Sequence, residues 1–100
     1  MNTPADLLIA TRALFVKNGW SPRDHRCVLY TVERAFDKAK VPDDRWKLIA
    51  VPALRALAVV AGHSSAVAWN YDPATTQEDV LRVIDATIDK LRCQQGRIGP

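Results

Sequence analysis

The sequence is short of cysteine, glycine and aromatics, and it has no long apolar run. Only Cys27 and Cys93 are present, far apart and with no Cys-x-x-Cys spacing, and the only histidines are His25 and His63. No set of four ligands with zinc spacing can be drawn from so few, and two thiols in a chain expected to be cytoplasmic should stay reduced. With no stretch of about 18 uninterrupted apolar residues, no membrane-spanning helix is expected. The opening Met1-Asn2-Thr3-Pro4-Ala5-Asp6 has no basic region ahead of an apolar core, so no secretory signal is expected either. Charge of one sign is also scarce: 14 Lys and Arg against 11 Asp and Glu give a net charge of +3, a weak footprint for nucleic acid.

The 100 residues are 48% hydrophobic, which points to one globular domain, taken as residues 1–93 with a frayed tail over 94–100. No segment alternates like a strand for long, and the fold expected is all-α: a compact bundle of four to five helices. The first helix spans Pro4 to Asn18, with Thr3 as cap, Pro4 in the first position, Asp6 in the first turn and Gly19 as a left-handed stop. Its apolar residues do not keep to one stripe. Leu7, Ala10 and Leu14 share a face, while Leu8, Ile9, Ala13, Phe15 and Val16 spread over two others. Such a helix is buried on several sides or covered by a partner.

The second helix is expected from Ser21-Pro22 to about Lys40, with Val28, Leu29, Val32, Ala35, Phe36 and Ala39 as its apolar stripe. Val41-Pro42 ends it. From Trp46 to Ala61 almost every residue is apolar, so this third segment reads as the centre of the bundle, with Pro52 either kinking or splitting it. Arg55 inside that run should then need a carboxylate partner. His63 to Ala74 reads as irregular. Two capping boxes compete to open the last helix, Thr75-x-x-Glu78 and Thr76-x-x-Asp79. Val80, Val83, Ile84, Thr87, Ile88 and Leu91 then continue it toward Cys93.

Residues that could carry chemistry each have a plainer reading beside the functional one. Asp85 and Asp89, a turn apart, could hold a cation, but Arg82 and Arg92 are spaced to screen them on a solvated face. Cys27 near a helix start and Arg23 and Arg34 could be reactive, yet a free cysteine more often packs as a small hydrophobe. His25 would cover the end of the core, and His63 would serve a helix C-terminus. His63-Ser64-Ser65 lacks an acid to orient the histidine, so no hydrolase site is expected. The first two helices have the length of a helix-turn-helix, with Arg23, Arg26, Arg34 and Lys38 facing outward. Asp24, Glu33 and Asp37 share that face and would meet phosphates unfavourably. Trp69-Asn70-Tyr71-Asp72-Pro73 stands out as a loop with two aromatics, either functional or anchored by Trp69 in the core.

Three of these places together resemble a family of small uncharacterised proteins of actinobacteria and their phages, classed as a domain of unknown function. They are a first helix ending in Gly19-Trp20, the cysteine of Cys27-Val28-Leu29-Tyr30, and Trp69-Asn70 followed by a proline, a threonine cap and a last amphipathic helix. The family usually has a small residue where Tyr30 stands, and an acid directly after Trp-Asn where Tyr71 stands here. The resemblance implies no activity and no catalytic residues.

The expectation is a non-enzymatic, cytoplasmic helical module, phage-encoded, that binds a protein partner or itself as a homodimer and uses no cofactor or metal. Tyr30, Arg26 and Arg34 are the expected contact residues, since Tyr with Arg is the composition of binding hot spots. Trp69, Asn70 and Tyr71 form the loop of interest. A small helix-turn-helix-like DNA-binding regulator is the alternative.

Overall fold

Thr3 opens the first helix with a reciprocal pair of bonds: its Oγ1 accepts from the Asp6 amide at 3.1 Å, and Asp6 Oδ2 accepts from the Thr3 amide at 3.2 Å. Helix α1 (Pro4–Asn18) then runs to Gly19, whose φ of 80° suits a residue without a Cβ and whose amide donates to the Phe15 carbonyl. In the computed structural model, which describes residues 1–96 and the side chains of 1–94, four further α-helices follow. They are α2 (Val28–Lys38), α3 (Trp46–Ala61, entered through a 3₁₀ turn Asp43–Arg45), α4 (Ala66–Tyr71) and α5 (Gln77–Gly96). The described residues contain no strand, and the all-α bundle expected from the periodicity is the fold.

Helices α1 and α3 share the middle of this bundle: α1 packs on α2, α3 and α5, while α3 also meets α4 and α5, and α2 meets α4. Ile9 and Val16 of α1 remain exposed at 40% and 61%, while Ala5, Leu7, Leu8 and Phe15 are thereby buried within one chain. Thr11 joins them because its hydroxyl donates back to the Leu7 carbonyl at 2.8 Å, so no polar group is left unpaired.

Helix α3 lies against α1, α4 and α5, as expected of a central segment, but one side of it is open. Ile49, Ala50, Ala53, Leu57 and Ala58 are buried, but Leu48 and Val59 are about two-thirds exposed, and Arg55 lies on the same open side. Arg55 consequently has water rather than a carboxylate around it, and none of the ion pairs among the described residues involves it. A run that is apolar on every side carries no periodic signal to say which side is covered. Pro52 neither ends nor splits the helix. It deprives the Leu48 carbonyl of its donor, and Leu48 sits on the exposed side, where water can take that acceptor.

Two other boundaries differ from the sequence reading. Helix α2 begins at Val28 rather than after Ser21, and Lys40, at φ 55°, makes the left-handed turn that separates it from Pro42. Residues 94–96, expected in the frayed tail, continue α5, and 97–100 lie outside the described residues. The last helix opens on the second of its two candidate caps. Thr76 Oγ1 accepts from the Asp79 amide and Asp79 Oδ2 from the Thr76 amide, while Thr75 Oγ1 is drawn away to donate to the Trp69 carbonyl at 2.7 Å.

Candidate functional site

The nine residues between α1 and α2 turn where a helix start was expected. Asp24 causes this. Its Oδ1 accepts from the Arg26 amide at 2.8 Å and its backbone carbonyl accepts from the Cys27 amide. An aspartate that bonds the backbone two residues on holds a turn rather than a helix. The Arg26 guanidinium closes on the same carboxylate at 2.9 Å and holds the Asp24 carboxyl down at about 2.

Cys27 becomes the cap residue of α2, and its thiol makes no capping bond. The orphan amide of Val28 is served from another helix. Asn70 Oδ1 accepts from Val28 at 3.0 Å and from the Trp20 indole Nε1 at 3.0 Å, while Asn70 Nδ2 donates to the Pro22 carbonyl at 3.1 Å. One buried amide thus joins the end of α1, the start of α2 and α4. The helix that carries it, α4, lies in the stretch His63 to Ala74 that the sequence presents as irregular. Six residues are too few for a periodic signal, but Ser65 caps them, its Oγ accepting from the Ala68 amide. Burial of Trp69 and Asn70 fixes the remaining turn.

Above this network lies a cleft of about 80 Å³ lined by Cys27, Leu29, Tyr30, Val67, Asn70 and Tyr71. Its floor is Cys27 and Asn70, both buried. Its walls are Tyr30 and Tyr71, each 57% exposed, and Val67 at 44%. Tyr30 and Tyr71, singled out for different reasons in the sequence, therefore stand at one place. Arg34 is exposed one turn beyond Tyr30. Arg26 does not belong with them: it lies before α2 begins and is tied to Asp24. Trp69 does not line the cleft and is only 3% exposed. Cys27 has the plainer of its two readings, a small buried contact residue.

His25 is exposed and covers no core, because the helix face on which it was placed does not yet exist at residue 25. His63 does serve a helix end, its Nδ1 lying 2.9 Å from the Ala61 carbonyl. It also has an acid that was not foreseen: Nε2 lies 2.8 Å from Asp72 Oδ2, nine residues on. Both ring nitrogens face acceptors, so the form that satisfies both is the imidazolium, which has no lone pair to act as a base. Ser65 is occupied in capping α4. The pair is a clasp between the end of α3 and the end of α4.

The Asp72 hydrogen bond, aided by the Ala61 carbonyl, raises the His63 pKa above 6.5, and the His63 bond lowers that of Asp72 below 3.8. Stability from a raised histidine is fully present below about 6.5 and is lost as pH rises through its folded value. Stability from the lowered aspartate is present above about 3.8 and is lost on acidification through its folded value. The clasp is therefore strongest between these limits. His63→Ala is expected to lower Tm at pH 5.5 and to converge on the wild type at pH 9, as melts across that range would show. A gap that widens with pH would contradict the assignment.

Asp85 takes a two-pronged bond from Arg12 of α1, at 2.6 Å and 3.3 Å, and Arg82 pairs with Asp79 rather than with Asp85 or Asp89. Among the described residues no three His, Cys, Asp or Glu side chains gather as metal ligands, and no helix is long and apolar enough to cross a membrane. The helix-turn-helix spacing is not met either, since nine residues separate α1 from α2 where that motif has a turn of three to four.

Residues 1–90 match the sequence profile of a family of unknown function (DUF6197). No curated protein and no solved structure matches the chain.

Proposed function

The chain belongs to this family of unknown function, and from the geometry of its α2–α4 cleft we propose that it is a non-enzymatic module that binds a protein partner there. The observation that carries the reading is the pair Tyr30 and Tyr71, both more than half exposed, with Val67 around a cleft whose floor is rigidly bonded. Tyrosines offer large contact area at low entropy cost and are enriched where binding energy concentrates. The surface is preorganised, so little ordering opposes association. On the Gly19-Trp20, Cys27 and Trp69-Asn70 resemblance, the setting we propose is the cytoplasm of an actinobacterium, with a phage-encoded chain acting on a host protein.

The double variant Tyr30→Ala/Tyr71→Ala tests this. It is expected to melt within about 4 °C of the wild type, because surface changes cost little, on the order of 0.5 kcal/mol. It is also expected to lose the partner that wild-type chain retains from host cytoplasm. Equal retention by both would overturn the reading. Light scattering of the free chain distinguishes a homodimer from a hetero-complex. Retention that falls steeply with salt and transfers to duplex DNA would favour a DNA-binding regulator instead.

A further inference from the structure

We infer that the segment seated in the α2–α4 cleft also places a basic side chain in a second groove, two turns further along α2. This rests on the reading of the cleft as a protein-binding surface. Leu29, Glu33 and Phe36 follow one flank of α2 at the four- and three-residue steps that align side chains on a helix. Leu29 lines the first cleft. Glu33 and Phe36, with Asp37, line a second and larger groove of about 390 Å³, closed on its far side by Asp43 and Trp46. One flank of α2 is thus the shared wall of both.

The second groove has a fixed aromatic wall. Trp46 meets Phe36 edge-on, with centroids 5.1 Å apart and planes at 83°, and it is partly buried against the core. Around it stand the carboxylates of Glu33, Asp37 and Asp43, none of which is in an ion pair among the described residues. Three unneutralised negative charges beside an indole, in a chain of net charge +3, select the charge of the occupant. An apolar or acidic segment would strip water from these carboxylates without replacing it. A lysine or, better, an arginine supplies donors to them and stacks its cation on the indole face.

A second copy with this groove on the two-fold axis would bring the same carboxylates together, and nucleic acid would bring phosphates to them, so neither arrangement complements the groove. The occupant is a basic side chain of a different protein. From Tyr30 to Asp37 is seven helical residues, about 10 Å along the axis. That equals about three residues of extended chain. The partner segment therefore carries a bulky apolar anchor and an Arg or Lys three positions away if extended, or seven away if helical.

Random peptides displayed on particles and selected against the whole 100-residue chain test this without knowledge of the partner. Enriched peptides are expected to share the apolar and basic pair at one of those spacings. Changing the basic residue of such a peptide to Gln should weaken binding about tenfold, and Glu33→Gln/Asp37→Asn in the protein should do the same with Tm unchanged. Combining the two should add little further loss, because both remove one contact. Peptides with no basic residue, or fully additive losses, would overturn the inference. If those peptides still lost affinity with Tyr30→Ala, the protein-binding reading would stand without it. Affinity that depends on the carboxylates but not on Tyr30 would overturn the joint arrangement. Failure to enrich any peptide, or binding indifferent to every variant, would count against both.

Discussion

Asn70→Ala is expected to destabilise the protein by about 3–5 kcal/mol, out of a total near 5–15 kcal/mol for a domain of this size. Little of the loss comes from packing, since the side chain is small. It comes from three groups that lose their partners together: the Val28 amide, the Trp20 indole N–H and the Pro22 carbonyl. Leaving a buried polar group unpaired costs about 1–3 kcal/mol. Asn70 is only 3% exposed, so water replaces its bonds poorly. Asn70→Asp discriminates this account from a simple loss of volume. A carboxylate keeps both acceptor bonds and suits the start of α2, but it sets an oxygen against the Pro22 carbonyl. Protonation restores a donor there. The Asp variant should therefore be less damaged than the Ala variant, and should regain stability relative to wild type on mild acidification. Urea denaturation of the three proteins at pH 7 and pH 5 measures both effects. An Ala variant within 1 kcal/mol of wild type would mean that the amide does not join the three elements.

The difference between what the sequence discloses and what it conceals follows the distance over which each bond acts. Helix α1 is legible to the residue because Thr3, Pro4, Asp6 and Gly19 set its ends locally. The buried stripe of α5 is legible because Val80, Val83, Ile84, Thr87 and Ile88 recur at helical spacing. The start of α2 is not, because its cap comes from Asn70, 42 residues away, while Ser21-Pro22 imitates a local helix start. Pro22 instead offers its carbonyl to that same amide. Residue types alone also cannot rank two apolar helices for the centre of a bundle. Helices α1 and α3 each pack on three others, and each leaves apolar side chains in water, Ile9 and Val16 on α1 and Leu48 and Val59 on α3. At the candidate site, Tyr30 could be placed on the outer face of α2 by spacing. Its proximity to Tyr71 depends on α4, whose six residues are held by a serine cap and by burial rather than by periodicity. Asp72 reaches His63 for the same reason, since α4 spans the interval between them.

Trp69→Ala and Tyr30→Ala should separate core from surface in a single pair of melts. Trp69 is 3% exposed and carries the carbonyl that Thr75 Oγ1 and the Asp72 amide both use, so it is anchored by its ring and by its backbone. Truncating a buried large aromatic costs about 3–5 kcal/mol, and the space it leaves opens in the buried apolar core to which Trp69 belongs. The cost also falls on the site, because Asn70 is the next residue and its bonds require α4 to hold its place. Tm should fall by more than 10 °C, at about 4–8 °C per kcal/mol for a domain of this length. The Tyr30 side chain, on a residue 57% exposed, makes none of the side-chain hydrogen bonds seen among the described residues and leaves the core intact when shortened. Its alanine variant should melt within about 2 °C of the wild type and lose affinity for any ligand of the cleft by tenfold or more, about 1.4 kcal/mol. The reverse result, an early melt for Tyr30→Ala and a normal one for Trp69→Ala, would exchange core and surface and remove the basis for a preformed cleft.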